Sequence, residues 1–130
     1  FKKNLYFIYL NKKQNSNKEI LRYSNLKISS SDIDKITSIS KQMIVTKSQK
    51  EFNLLLHYHE EILSSVLKRD TIKTELFPDF EGSIKSLGAW GGDFILASSR
   101  SNPSNYFNNK GFSIVINYSD MVNNKSFDYL

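Results

Sequence analysis

A long amphipathic helix is predicted between Ser48 and Lys68. Ser48 and Glu51 form the Ser-x-x-Glu pattern of a capping box, which marks where the helix begins. Side chains on one face then recur at helical spacing: Phe52, Leu55, Leu56, His59, Ile62, Leu63, Val66 and Leu67. A helix with one apolar face needs another layer to cover that face. Strands elsewhere in the chain are the candidates for that layer.

Four short segments have the composition of strands. Leu5 to Leu10 is a continuous apolar and aromatic run, which is typical of a strand buried on both faces. Ser83 to Leu87 alternates loosely, and Phe94 to Ala97 is a second apolar run. Phe112 to Tyr118 contains three consecutive β-branched residues and predicts a last strand.

Two further helices complete the predicted order. The first has Ser31 as its N-cap and an apolar stripe at Ile33, Ile36, Ile39 and Met43. The second is short, with Pro103 at its first position and its end at Gly111. The resulting order predicts a single α+β domain spanning residues 1–130, a ferredoxin-like split βαβ with an extra helix. Its four-stranded, mainly antiparallel sheet is expected to carry helices on one face.

The composition excludes several classes of function. Because the chain has no cysteine, disulfides, thiolate metal sites and cysteine nucleophiles are excluded. Lys and Arg outnumber Asp and Glu by 18 to 13, but the excess is spread along the chain, which argues against a nucleic-acid partner. No apolar run is long enough to cross a bilayer, and a cysteine-free chain suits the cytoplasm.

The segment from Lys85 to Asp93 is the most informative for function. Three of the five glycines fall within five residues of it, between two predicted strands. Glycines adopt positive φ and allow backbone N–H groups to converge on an anion. An ordinary hairpin turn is the alternative interpretation of the same residues.

The same segment resembles the third conserved motif of the GHMP superfamily, the kinases of galactose, homoserine, mevalonate and phosphomevalonate. In that family a strand runs into Gly-Ala-Gly-x-Gly-Gly, followed by an apolar strand. Gly88-Ala89, Gly91 and Gly92 match the pattern, and Phe94 to Ala97 resembles the following strand. In element order the resemblance covers nearly the whole chain.

The resemblance implies that the chain is the C-terminal, substrate-side domain of such a kinase. The substrate- or phosphate-binding loop would then consist of Lys85, Gly88, Ala89, Trp90, Gly91, Gly92 and Asp93. The family's nucleotide loop and its catalytic acid or base belong to the N-terminal domain, and neither sequence pattern occurs here. ATP and Mg²⁺ are thus implied for the full-length protein, with a small-molecule acceptor, and this chain supplies no catalytic residue. The start at Phe1, close to a strand, suggests a piece of a larger protein or a processed chain.

Two residues depart from the family pattern. Trp90 stands where the family usually has a second glycine, and Asp93 stands where a small residue is common. An indole limits how closely a phosphate approaches the backbone, and a carboxylate repels it unless Mg²⁺ lies between them. Trp90 is instead suited to stack on a sugar or a base, or to pack on a neighbouring helix. The departures predict a divergent branch with an unusual substrate, or one without kinase activity.

The remaining polar residues give weaker indications. Lys13, Gln14 and Ser16 lie in a polar segment after the first strand and either face the cleft or form an ordinary surface turn. His57 and His59 point in different directions on a helix and cannot share a metal ion. His59 is expected as a hydrogen-bonded core residue, and His57, with Glu60 and Glu61 beside it, as part of a solvated face.

Two non-enzymatic functions are alternatives to the kinase domain. One is a ferredoxin-like module that binds RNA or a protein, although no Lys/Arg-Gly-Phe strand motif is present. The other is an assembly domain in which sheet or helix faces pair between copies of the chain. The fold alone does not decide among them, because this architecture hosts many functions.

Overall fold

The computed structural model describes residues 1–13, 17, 18, 24, 26–88 and 92–122. Within these ranges one sheet is formed by β1 (Leu5–Tyr9), β2 (Ser83–Ser86), β3 (Phe94–Ser98) and β4 (Val115–Asn117). The helices are α1 (Ser30–Val45), α2 (Gln49–Leu67), α3 (Ile72–Leu76), α4 (Ser104–Asn109) and α5 (Tyr118–Met121). A 3-10 turn, Lys2–Asn4, precedes β1.

The strand order confirms the predicted architecture. The sheet runs β2-β3-β1-β4, and every neighbouring pair is antiparallel. Ile8 of β1 lies opposite both Ile95 of β3 and Val115 of β4, so β1 is a central strand. An α+β domain with the first and third strands in the centre is the ferredoxin-like split βαβ arrangement.

The core lies on both faces of β1. Because side chains alternate along a strand, Tyr6 and Ile8 contribute to one large cluster, which also contains Ile95. Leu5 belongs to a second cluster with Phe52 and Leu56 of α2. Since α2 packs beside β2, an outer strand of the sheet, its side chains contribute to both clusters. Helical residues thus cover both faces, whereas the sequence predicts helices on one face alone.

Helix α2 matches its prediction closely. The Ser48 side chain accepts a hydrogen bond from the Glu51 backbone N–H at 3.2 Å, and the helix ends at Lys68 in the left-handed conformation, with φ of 54°. Phe52, Leu55 and Leu56 on the predicted stripe are buried. The exposed face carries Leu54 and Tyr58 besides polar residues, and no helix in the described part of the chain is long and apolar enough to cross a membrane.

Helix α1 begins earlier and is less buried than its stripe suggests. Ser29, rather than Ser31, is the N-cap, and its Oγ accepts from the Asp32 backbone N–H at 3.0 Å. Three consecutive serines offer equivalent caps, so the sequence could not distinguish them. The helix packs against α2, and none of its residues is fully buried. The short helix α4 begins one position later than predicted, with Pro103 as its N-cap, and ends at Asn109 rather than at Gly111.

Aromatic rings connect the short helices to the sheet. Phe77 and Phe107 are fully buried, with ring centroids 5.1 Å apart in an edge-to-face arrangement. Phe80 lies 5.2 Å from the Phe107 ring. Pro78 disfavours helical geometry at the preceding residue, so α3 stops at Leu76. This packing fixes the path of the chain into β2.

Candidate functional site

The glycine turn joins β2 to β3 at one end of the sheet. Gly88 and Asp93 have φ of 60° and 55°, so both described ends of the turn are left-handed. Gly88 is exposed, and a Cβ there would meet no atom of the described residues within 4 Å. The predicted residues Ala89, Trp90 and Gly91 lie outside the described residues. The space beside Gly88 therefore gives a ligand access to the backbone.

The polar segment after β1 lies against this turn. The Leu10 backbone N–H donates to the Asp93 carbonyl at 2.8 Å, and the Asp93 N–H donates to the Lys12 carbonyl at 2.6 Å. Lys13, which follows, is exposed, while Gln14 and Ser16 fall outside the described residues. Two segments singled out separately in the sequence are thus neighbours. We call this region, residues 10–13 with Gly88, Gly92 and Asp93, the turn end of the sheet.

The ammonium group of Lys85 contacts α2. Its Nζ lies 3.2 Å from His59 Nδ1 and 3.5 Å from Glu60 Oε1, and it donates to the Ser86 carbonyl at 3.3 Å. The Ser86 hydroxyl donates to Glu60 Oε2 at 3.1 Å. Lys85 therefore belongs to a hydrogen-bond network that links β2 to α2. The sequence instead suggests a lysine that reaches a phosphate at the turn.

Burial sets the protonation of this network. Burial raises the pKa of the Glu60 carboxyl above its usual value, while Lys85 and the hydrogen bonds from Ser86 act in the opposite direction. Burial and the nearby Lys85 charge lower the pKa of His59 to about 4. His59 is thus neutral at neutral pH, and its Nδ1 is able to accept from Lys85. Each partner is satisfied within the chain, so the network serves as a structural link.

Glu60 is the residue whose environment the sequence analysis misjudged. The prediction places it on a solvated helix face, but it is only 3% exposed. A signal was present, because Glu60 lies one helical turn after the buried Leu56. Its partners, Lys85 and Ser86, belong to a strand far along the chain. His57 is exposed, as expected.

Neither a search for metal-binding groups nor comparison with known proteins assigns a function to the chain. Among the residues that the structure describes, no group of three or more His, Asp or Glu side chains is arranged to hold a metal ion. No protein-family model, curated protein or solved structure matches the chain.

Proposed function

We propose that this chain is the substrate-side domain of an ATP-dependent GHMP-type kinase and contributes the glycine turn to a cleft between two domains. The domain that carries the nucleotide loop, ATP and Mg²⁺ would be its partner, and a small molecule with a hydroxyl or phosphate would be the acceptor. A cytoplasmic location, where ATP is present, is part of the proposal.

The geometry of the turn end is the observation that carries this proposal. Left-handed residues bracket the turn at Gly88 and Asp93, and a second polar segment is hydrogen-bonded to Asp93. Backbone N–H groups in such turns form concave sites for anions. The ferredoxin-like strand order agrees with the architecture that the family resemblance implies, although the same architecture serves other functions.

The proposal assigns ligand binding to the backbone of the turn rather than to Lys85. The Lys85 ammonium is held by His59 and Glu60 on α2. Exposed Lys12 and Lys13 are described cations whose position in the sequence puts them next to the turn. The residues that this chain offers suit a substrate phosphate, while the metal ion would belong to the partner domain.

Phosphoryl transfer by the longer protein is the direct test. We expect the protein that contains this chain and its upstream sequence to consume ATP when one member of a panel of sugars and small alcohols is added. The matched variants are Gly88→Ala and Gly111→Ala, since both glycines have positive φ and open space at the Cβ position. Only Gly88→Ala should lower the acceptor-dependent rate. Upstream sequence without a Gly/Ser-rich loop, or equal rates with and without every acceptor, would contradict the proposal.

A second test uses the isolated chain. Trp90 is the only tryptophan, so its fluorescence reports on the glycine turn. We expect a saturable fluorescence change with a phosphorylated acceptor, which Gly88→Ala weakens and Gly111→Ala leaves intact. Equal responses in both variants would argue that the turn does not bind the ligand.

A non-enzymatic assembly module is the second candidate. It is favoured by α1, where Ile33, Ile44 and Val45 are 51%, 83% and 73% exposed. Such a group of apolar side chains on one helix is a feature of surfaces that bind another protein chain. Sedimentation at increasing concentration distinguishes the candidates, because assembly predicts a dimer that Ile44→Lys disrupts.

A further inference from the structure

Two cavities lie at the opposite end of the sheet, where β2 begins and β3 ends. We call this region the cavity end. The cavities have volumes of about 470 and 450 Å³ and share two lining residues, Asn53 and Arg100. Both volumes fall in the range of about 300–1,000 Å³ that is usual for small-molecule sites. Their position separates them from the turn end.

The larger cavity is cationic. Its charged lining residues are Lys50, Lys73 and Arg100, and no carboxylate lines it among the described residues. Lys73 donates to the Gly82 carbonyl at 2.7 Å, which holds its ammonium group in place. Arg100 is exposed and makes no hydrogen bond or ion pair within the described ranges. Lys50 is in the first turn of α2, where the helix dipole adds positive potential.

Asn53 supplies an acceptor that lacks a donor. Its side-chain Oδ1 is buried and has no hydrogen-bond partner in the described part of the chain. A buried acceptor without a partner is costly, and such a group in a native structure calls for an explanation. Oδ1 itself is closed to solvent, but Asn53 lines both cavities, so a turn of its side-chain amide would present this oxygen to a ligand that spans them.

The smaller cavity is polar but less cationic. Besides Arg100 it is lined by serines, by Asn102 and by Asp79 and Glu81. The Asp79 carboxylate is engaged, because it accepts from the Tyr106 hydroxyl at 2.6 Å and lies 3.4 Å from the Lys110 ammonium. Serine, amide and carboxylate groups suit the hydroxyls of a neutral polar body better than a second anion.

We propose that the cavity end binds a small phosphorylated polyol, independently of the glycine turn. The phosphate occupies the larger cavity between Lys50, Lys73 and Arg100, whose guanidinium matches phosphate in a bidentate geometry. The Asn53 amide turns toward the cavities, a hydroxyl of the ligand donates to its Oδ1, and the polyol extends into the smaller cavity. Three cations in a cavity that no described carboxylate lines favour a dianionic phosphate over a single carboxylate.

The first arm of the test locates the site with amide chemical shifts of the isotope-labelled chain. Glycerol 3-phosphate should give saturable shifts around Ser83 and Arg100, and glycerol should give none. We expect Arg100→Gln and Lys50→Gln each to weaken binding about tenfold, the usual loss for one charge-assisted hydrogen bond. Lys41→Gln, on exposed α1 and outside both cavities, is the charge-matched control and should change affinity by less than about twofold.

The second arm isolates the hydroxyl contact. Sulfate carries no proton at neutral pH and has no donor for Asn53. Asn53→Leu should therefore lower the affinity for glycerol 3-phosphate about fivefold and leave the affinity for sulfate unchanged. Because this variant removes an unpartnered buried oxygen, its thermal unfolding should match or exceed that of the wild type.

Three results would overturn the proposal. Equal losses of affinity in Lys41→Gln and Arg100→Gln would mean that phosphate binding depends only on the net charge of the chain. Shifts confined to Gly88 and Asp93 would assign the phosphate to the turn end. Tighter binding of a single-stranded RNA oligonucleotide than of glycerol 3-phosphate, through the same cations, would indicate a polyanion surface.

Discussion

The two ends of the sheet differ in how their functional residues are brought together. At the turn end the candidate residues are almost contiguous, from Gly88 to Asp93, and resemble a known motif. At the cavity end Asn53, Lys73 and Arg100 come from three separate segments. A contiguous motif is visible in a sequence, because spacing alone defines it. An assembled cavity becomes visible only when the helices pack beside the sheet.

The ends also differ in what holds them together. Backbone hydrogen bonds between Asp93 and residues 10 and 12 connect the turn end, while its Gly88 side is open. At the cavity end Gly82 is packed against the Ser98 carbonyl and the Phe80 ring. Added side-chain atoms should therefore cost much more at the cavity end than at the turn end.

Gly82→Ala is expected to have the largest effect. A Cβ at this position would overlap the Ser98 carbonyl oxygen and approach Phe80 Cε1 to 2.8 Å. Because a backbone atom is involved, the β2–β3 pairing has to shift, and the free energy of unfolding should fall by about 3 kcal/mol. Urea unfolding measures this loss. A loss no greater than that of Gly88→Ala would remove the contrast between the two ends.

Lys85→Met tests whether the network between the ends is structural. The substitution leaves the Glu60 carboxylate buried without its cation, and we expect a loss of about 2 kcal/mol at neutral pH. The double variant Lys85→Met with Glu60→Gln should recover much of this loss, since no buried charge remains. Ligand binding at both ends should stay unchanged. If Lys85→Met lost phosphate binding while the fold stayed intact, Lys85 would be assigned to phosphate binding at the turn end.

The same network also fixes the direction of a pH effect in Lys85→Met. Burial already raises the pKa of Glu60, so the folded chain takes up a proton more readily than the unfolded chain. The Glu60 carboxyl therefore lowers the free energy of unfolding as the pH rises from 4.5, its pKa in the unfolded chain, through its raised pKa in the folded chain. The deficit of Lys85→Met, measured by urea unfolding, should shrink on acidification.

Gly88→Ala and Gly111→Ala should have smaller and nearly equal effects on stability. Their φ angles are 60° and 94°, and at neither position would an added Cβ lie within 4 Å of another atom in the described part of the chain. The cost is the strain of a left-handed alanine alone, about 1.5 kcal/mol for each variant. Thermal unfolding of the two variants tests this equality. A much larger loss for Gly88→Ala would indicate that the turn is packed rather than open.

His59→Gln should give the smallest effect and a distinct pH dependence. The folded pKa of about 4 lies below the ordinary 6.5, so the unfolded chain binds a proton more readily between these values. Wild-type stability is therefore lost as pH falls from 6.5 through about 4. After allowance for solvent screening, the wild type should lose about 1 kcal/mol more than His59→Gln. Parallel stability curves for the two proteins would contradict the half-buried position of His59.

Local patterns predicted much of the fold. The Ser48 cap and the Leu5 to Leu10 run both act within a few residues of their own position. The errors involve contacts with distant residues or equivalent neighbours. Ser29 and Ser31 are interchangeable as caps, and the burial of Glu60 depends on its partner Lys85.

The sequence by itself determined the four strands, the helices α1, α2 and α4, their order and the glycine turn, because spacing and composition act locally. Only the tertiary structure decided that Lys85 turns toward α2, that Asp93 joins the segment after β1, and that Asn53 and Arg100 line shared cavities. Each of these depends on antiparallel pairing and on α2 lying beside β2. Such contacts follow from the burial of apolar area over the whole chain, which no single segment encodes.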